Sequence, residues 1–309
     1  MANGYHTPVL PAEVLEYLLT SRSGTYIDGT VGGGGHAERI IECLSPEGRL
    51  IGFDVDEDAI QEACRRLEKH LPRVDLVRAN FAQVQSQLKP LGVEHVHGVL
   101  FDLGVSSHQL DAAGRGFSFE RCERLDMRMD QRHALDAVSL LGRLDEKALA
   151  DVIWKYGEER HARAIARKIA QARAKQPIEM VEQLVSVVRD VVGQRYLRKS
   201  LARVFQALRI VLNNELENLQ RGLEEAVDFL LPGGRIVVIS YHSLEDRIVK
   251  EFFRAESAER ISSGSKLIQD KVKTPRLRVL TKKPIQPAES EIRRNRRARS
   301  AKLRAAEKT

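Results

Sequence analysis

Most features that would mark this chain as secreted, membrane-bound or metal-built are missing. Its three cysteines, Cys43, Cys64 and Cys122, are odd in number and scattered. They form neither a disulfide framework nor a metal-ligand spacing, which predicts a reducing compartment and no structural metal. No apolar run approaches the length of a membrane span, and the first residues lack the basic-then-apolar order of a signal peptide. A cytoplasmic location without a membrane partner is the expectation. Internal repeats are absent, which excludes solenoids and propellers. What is present is ordinary for a folded protein: 309 residues, 42% hydrophobic and 30% charged, enough for one sizeable core and a smaller appendage.

Charge is unevenly placed. Residues 266–309 hold fifteen Lys or Arg against four Asp or Glu, while the whole chain is only +7. The basic character therefore lies in this last segment, and the remainder is slightly acidic. A basic block beside an enzyme-like core suggests a polyanionic partner, nucleic acid first; a solvated tail is the plainer alternative. With few apolar residues, the segment is expected to fold back on the protein or to order on RNA.

Thr25 to His36 constrains function most tightly. A short apolar run closes at Asp28, four glycines follow (Gly32 to Gly35), and a helical pattern begins at Ala37. Strand, glycine loop and helix is the order that brings backbone against a ligand, because no Cβ holds the ligand away. A second strand, Arg49 to Phe53, ends in Asp54 about 20 residues further on, where nucleotide-type folds place a carboxylate for ribose hydroxyls. Two cofactors fit. Gly32-x-Gly34-x-x-Ala37 satisfies the dinucleotide fingerprint, and an acid such as Asp28 before the loop suits S-adenosylmethionine.

Further strands are predicted at 74–78 and 96–101, the latter ending at Asp102, with helices between them at 57–70 and 83–88. Strands alternating with helices predict a parallel α/β sheet covered on both faces. Ligands in such sheets sit beyond the carboxyl ends of the strands, where Asp28, Asp54, Phe81 and Asp102 fall. From about Leu135 to Glu225 only helical runs occur, at 148–154, 162–174, 180–192 and 200–226. Strand character returns at Arg235 to Ser240, after the turn Leu231-Pro232-Gly233-Gly234. This predicts a core of 1–107 and 227–309 that carries the basic tail, interrupted at 108–226 by a mostly helical insertion for substrate recognition.

Four segments together point to a family: Asp28 to His36, Phe101-Asp-Leu-Gly-Val-Ser-Ser107, Leu125-Asp-Met-Arg-Met-Asp130, and Val238-Ile-Ser-Tyr-His-Ser-Leu-Glu-Asp-Arg247. Lys155-Tyr-Gly-Glu-Glu-Arg160, Phe205-Gln-Ala-Leu-Arg-Ile210 and Arg297 to Arg304 add to them. From about His6 to Arg304 the chain resembles the RsmH (MraW) family of bacterial ribosomal RNA methyltransferases. The resemblance implies a Rossmann-like class I sheet and S-adenosylmethionine as cofactor. It implies methylation of cytidine N4 in the decoding region of 16S rRNA, free or in the small ribosomal subunit. Cofactor contacts carried over from the family fall on Gly34, Gly35, His36, Asp54, Phe81, Asp102 and Gln109. Those of His36 and Gln109 rest on the resemblance alone.

Departures from the family pattern fall elsewhere. Ala37 stands where Ser or Thr is usual, Cys122-Glu123-Arg124 replaces Asp-Gly-Pro, Lys199-Ser200-Leu201-Ala202 replaces His-Pro-Ala-Thr, and Arg296 replaces proline. The N4 amine is a weak nucleophile, so catalysis must orient its lone pair and accept hydrogen bonds from its N–H groups. Asp102 is the candidate catalytic residue. The prolines and aromatic ring common after the fourth strand of amine methyltransferases are absent from Asp102-Leu103-Gly104-Val105. Ser240, Tyr241 and His242 could supply the missing ring and polar groups. They could equally be a strand end before a helix capped by Ser243. Arg293, Arg294 and Arg297 are candidates for contact with RNA.

Overall fold

The computed structural model describes residues 8–261 and 271–309. His6, where the family resemblance begins, and positions 266–270 of the basic segment lie outside the described residues. Two compact units are present: Met1–Gly104 with Leu216–Thr309, and Val105–Glu215.

The first unit opens with α1 (Pro11–Leu18), a helix not expected from the sequence, then β1 (Thr25–Asp28), α2 (Gly35–Cys43), β2 (Arg49–Asp54), α3 (Glu57–Arg66), β3 (Val74–Arg78), α4 (Val84–Leu88) and β4 (Val96–Asp102). The second is helical: α5 (Ser107–Asp111), α6 (Ala137–Arg143), α7 (Glu146–Gly157), α8 (Ala162–Arg173), α9 (Val181–Val192) and α10 (Leu197–Leu212). The first unit resumes with α11 (Glu215–Phe229), β5 (Leu230–Ser240), α12 (Ser243–Glu256), a small antiparallel pair β6 (Arg260–Ile261) and β7 (Lys271–Val272), β8 (Leu277–Val279), α13 (Glu289–Arg294) and β9 (Lys302–Lys308).

Seven strands form the sheet in the order β3-β2-β1-β4-β5-β9-β8. Neighbours from β3 to β5 pair in parallel, while β9 is antiparallel to both β5 and β8. The central strands are apolar on both faces, as helices covering both sides of a parallel sheet require. Strand order reverses between β1 and β4, which makes their carboxyl ends the topological switch point where such sheets bind ligands.

Two expectations need correction. The run 200–226 is not one helix. It breaks at Asn213-Asn214, where Asn214 takes φ 51°. The Asn213 side chain accepts from Met129 N–H (2.8 Å) and donates to the Met127 carbonyl (3.0 Å), so it ties the turn to a loop of its own unit. The insertion accordingly stops before 226. Leu219, Leu223, Ala226 and Val227 of α11 are buried in the core of the sheet unit. Their helical spacing announced an apolar face but not which core would take it.

The basic segment folds back on the protein, the first of its two expected outcomes, and places β9 between β5 and β8, with Leu303, Ala305 and Ala306 fully buried. Its charges are partly neutralised inside the fold. Asp246 accepts from Arg304 Nε at 2.6 Å and Lys302 Nζ at 3.0 Å, and Glu307 pairs with Arg235 and Arg278. Burial pushes the Asp246 carboxyl up, but the hydrogen bonds from Arg304 and Lys302 outweigh it and hold the group below its usual range.

Candidate cofactor and methyl-transfer site

The glycine loop is built by backbone ties to both neighbouring strands. Gly29 N–H donates to the Leu100 carbonyl and Val31 N–H to the Phe53 carbonyl, each at 2.8 Å. Gly34 adopts φ 81° as the residue before α2, and its missing Cβ would lie 3.3 Å from the Ala63 backbone. Any side chain there would be strained as well as crowded. The first backbone bond of α2 runs from Glu38 N–H to the Gly34 carbonyl (2.9 Å). The amides of Gly35, His36 and Ala37 therefore precede the helical ladder and point at whatever lies beyond the loop.

Asp54, at the end of β2, organises the loop as well as facing it. Its two oxygens accept from Gly32 N–H and Asp56 N–H, both at 2.9 Å. Burial raises its carboxyl to about 6, against the pull of those two amides. Asp28, at the end of β1, is 1% exposed. It accepts from Thr30 N–H at 3.2 Å and leaves Oδ2 without a hydrogen-bond partner. Burial pushes it to about 7, offset by the nearby His36 ring and the Thr30 amide and reinforced by Asp102 and Asp54. Three carboxylates at adjacent strand ends make this pocket a strong attractor for positive charge.

Asp102 ends β4 and is held from three directions. Its N–H donates to Thr30 Oγ1 at 2.6 Å, and the Tyr241 hydroxyl donates to Oδ1 at 2.9 Å. His36 Nε2 lies 3.5 Å from Oδ2, within ion-pair reach but without hydrogen-bond geometry, and both His36 ring nitrogens remain unpaired. Burial, then the Asp102 charge, pushes the Tyr241 hydroxyl well above its ordinary 10, so it stays a donor at neutral pH.

Phe81 follows β3 and packs against Phe101, ring centroids 4.8 Å apart. It also lies against Gly222 of α11, where an added Cβ would come within 2.5 Å of the ring. One aromatic face is thus positioned by another aromatic and a glycine, as an apolar seat for a planar base requires.

The structure brings Gly34, Gly35, His36, Asp54, Phe81 and Asp102 to one end of the sheet, together with Tyr241. Thr30 and Gly222 belong to this group and were not expected from the sequence. The remaining candidates make contacts within their own units. Ser240 is 2% exposed and its hydroxyl donates to the Lys302 carbonyl, so it is a sheet residue. His242 caps α12, accepting from Glu245 N–H while Glu245 accepts from Tyr241 N–H. The capped-helix expectation holds with His242, not Ser243, as the cap. Gln109, in the helical unit, is 6% exposed and shares a capping box with Ser106 at the start of α5. Arg293, Arg294 and Arg297 are exposed, as are Arg296 and Arg299. The segment 122–124 is tied by Glu123, whose carboxylate accepts from Gly114 N–H (2.7 Å) and Gly116 N–H (2.8 Å).

S-adenosylmethionine fits this donor set. Its ribose diol suits an acceptor at Asp54, its carboxylate the free amides at the start of α2, and its positive charge a pocket holding Asp28 and Asp102. Asp28 Oδ2 and the two His36 ring nitrogens, buried without hydrogen-bond partners in the protein, suit the polar groups of such a ligand.

Comparison with known proteins gives the same answer. Residues 3–309 match the model of the MraW methylase family. The chain is 48% identical, over the full length of both, to "Ribosomal RNA small subunit methyltransferase H" of Geotalea uraniireducens. It is 49% identical to the protein of that name from Geobacter sulfurreducens, with 98% of each chain covered. To the one from Desulfotalea psychrophila it is 44% identical, with 99% of each covered. The nicotinamide alternative for the glycine loop is thereby set aside. With a seven-stranded α/β sheet that reverses its order beside the glycine loop, and with S-adenosylmethionine as cofactor, the chain belongs to the MraW methylase family.

Proposed function

We propose that the protein methylates N4 of a cytidine in the decoding region of 16S rRNA, acting in the cytoplasm on free rRNA or on the small subunit. The relatives' shared name supports the rRNA substrate. The observation that carries the choice of an amine is the Asp102–Tyr241 pair, a carboxylate fixed beside the cofactor loop with one oxygen still able to accept.

When bound, S-adenosylmethionine supplies an electrophilic methyl group on sulfur. The chain supplies position. Asp102 accepts an N–H of the target amine, which turns the nitrogen lone pair toward the incoming methyl and draws electron density back from the ring. Tyr241 and Thr30 keep that carboxylate from rotating. The proton that the amine must lose passes to Asp102 or to solvent. No covalent intermediate with the protein is needed. Base identity is read in the pocket after the cytidine leaves its stack, while the exposed arginines of 293–299 and the helical unit hold the strand.

Nucleoside mass spectrometry of 16S rRNA from cells with and without the gene tests the reaction and the base together. Restoration of N4-methylcytidine by the wild-type gene, and not by Asp102→Ala, is the expected result. A different modified base, or full activity of a folded Asp102→Ala protein, would overturn the assignment.

A further inference from the structure

The helical unit carries a surface that its own stability does not explain. Tyr196, 44% exposed, immediately precedes α10. The Arg160 guanidinium lies 5.4 Å from the centre of its ring and that of Arg195 5.5 Å away. Both arginines are exposed, as is Lys199 one turn further on. Among the described residues none of these three cations has a carboxylate within ion-pair distance, whereas their neighbours Arg198 and Arg203 pair with Glu120 (3.0 Å) and Glu159 (3.4 Å).

The arrangement is held in place from below. Gln206 Nε2 donates to the Tyr156 carbonyl at 2.9 Å, and Gly157 is packed so tightly that an added Cβ would lie 2.6 Å from the Arg203 carbonyl oxygen. The turn after α7, with Glu158 at φ 50° and Glu159 buried, then delivers Arg160 over the Tyr196 ring. The first turn of α10 holds Arg198 and Lys199 and no acidic residue. The helix dipole disfavours cations there, so the fold gains nothing from them at that end.

An exposed aromatic ring flanked by guanidinium groups without counter-charges suits a partner that alternates flat π surfaces with negative charges. Guanidinium planes stack on bases and pair with phosphates, and tyrosine offers a sequence-tolerant stacking face. An acidic peptide would answer the charge and leave the ring unused. We propose that Tyr196, flanked by Arg160 and Arg195, is a stacking platform for an unpaired base of the RNA substrate, with Lys199 contacting the adjoining phosphate. This rests on the RNA-substrate reading given above and names where the helical unit grips the strand.

The test uses the full-length protein and three probes: a mixed-sequence single-stranded RNA of about 20 nucleotides, a duplex RNA of the same composition, and heparin as a polyanion without bases. Tyr196→Ala is expected to weaken single-strand binding roughly 5- to 100-fold, the range that one stacked base supports. Tyr196→Phe is expected to stay within about twofold of wild type, since it keeps the ring. Duplex and heparin binding should be unchanged by Tyr196→Ala, because duplex bases are stacked internally and heparin has none. Arg160→Gln with Arg195→Gln should flatten the salt dependence of single-strand binding by about 1.4 log–log units if each contacts one phosphate. Equal losses for all three probes, a Phe variant as weak as Ala, or single-strand affinity untouched by Tyr196→Ala would each overturn the platform. Cofactor affinity and circular dichroism serve as folding controls. Wild-type rRNA methylation, measured in parallel, separates the two proposals. If it is intact while Tyr196→Ala binds normally, only the platform fails. If it is absent, the functional reading fails.

Discussion

Gly222 offers the sharpest test of how the cofactor seat is built. In a helix interior, Gly→Ala ordinarily gains up to about 1 kcal/mol from reduced backbone freedom and better propensity. At Gly142 of α6 no neighbouring atom lies within 4 Å of an added Cβ, so Gly142→Ala should realise that gain. At Gly222 the added Cβ would sit 2.5 Å from Phe81 Cδ2 and 2.8 Å from Cε2. The ring cannot simply retreat, because Phe101 packs against it and Gly29 in turn crowds Phe101, an added Cβ there meeting that ring at 2.4 Å. Overpacking of this kind costs about 1–3 kcal/mol, so after the propensity gain Gly222→Ala should be net destabilised by about 1 kcal/mol. The displaced Phe81 ring should also weaken S-adenosylmethionine binding several-fold, whereas Gly142→Ala should leave it unchanged. Urea denaturation and titration calorimetry on both variants measure the two effects. If Gly222→Ala is stabilised as much as Gly142→Ala and binds cofactor normally, Phe81 has slack that the packing does not show, and its role as a fixed seat is wrong.

Four other outcomes follow, three of them from the same site. Burial raises the folded pKa of Asp28 to about 7 from its ordinary 3.8, so it binds its proton more tightly when folded. Its contribution to stability is full below pH 4 and is lost as pH rises through 7. The loss is on the order of 4 kcal/mol. Asp28→Asn should therefore be the more stable protein at pH 8, with the gap closing toward pH 4, and parallel denaturation curves at both pH values would refute this. Cofactor affinity should run the opposite way, weakening as pH falls below about 7, because a cationic ligand favours ionised Asp28; calorimetry giving constant affinity between pH 5.5 and 8 would contradict it. Tyr241→Phe removes a hydrogen bond to a charged group and should lower kcat about 10- to 100-fold with little change in cofactor affinity, whereas an unchanged kcat would reduce Tyr241 to packing. Glutamine at Arg293, Arg294, Arg296, Arg297 and Arg299 should weaken RNA binding and flatten its salt dependence while leaving the cofactor site untouched; an unchanged slope would mean these exposed groups never meet phosphate.

The site was more legible in the sequence than the frame around it. Asp28, Asp54 and Asp102 each follow a run of β-branched or aromatic residues, and a carboxylate at a strand end stands out against such a run. The glycines of the loop are visible because a positive φ at Gly34 has a residue signature. Packing partners have none. Nothing in the local sequence of α11 says that Gly222 must leave room for Phe81, or that the apolar face of this helix belongs to the sheet. The cap on α12 was misplaced by one residue because histidine is an unusual cap and serine a common one. β9 was concealed for a different reason. Lys302 to Lys308 alternates charge with small residues, and its charges suit a buried strand only once Asp246 and Arg235 are brought to it from far along the chain. The read-through at Asn213-Asn214 shows that a helix break can be set by a side chain bonding to a loop some eighty residues away in sequence, which no window along α10 can reveal.

The placement of β9 has a consequence for how the protein comes into being. Because residues 302–308 lie between β5 and β8, the sheet cannot be completed until those residues have been synthesised. Until then β5 presents Ile236 to Ile239 along an unpaired edge, and Leu10 waits for the Glu291 carboxylate that accepts its N–H across 281 positions of sequence. The helical unit is under no such constraint, since its core is drawn from one continuous stretch. Synthesis therefore imposes an order: the inserted unit can settle early, while the sheet that surrounds it in sequence waits on long-range pairing, the slow class of folding event. A chain released before residue 302 would carry a finished insertion on a sheet with an open, apolar edge, and such edges are templates for aggregation.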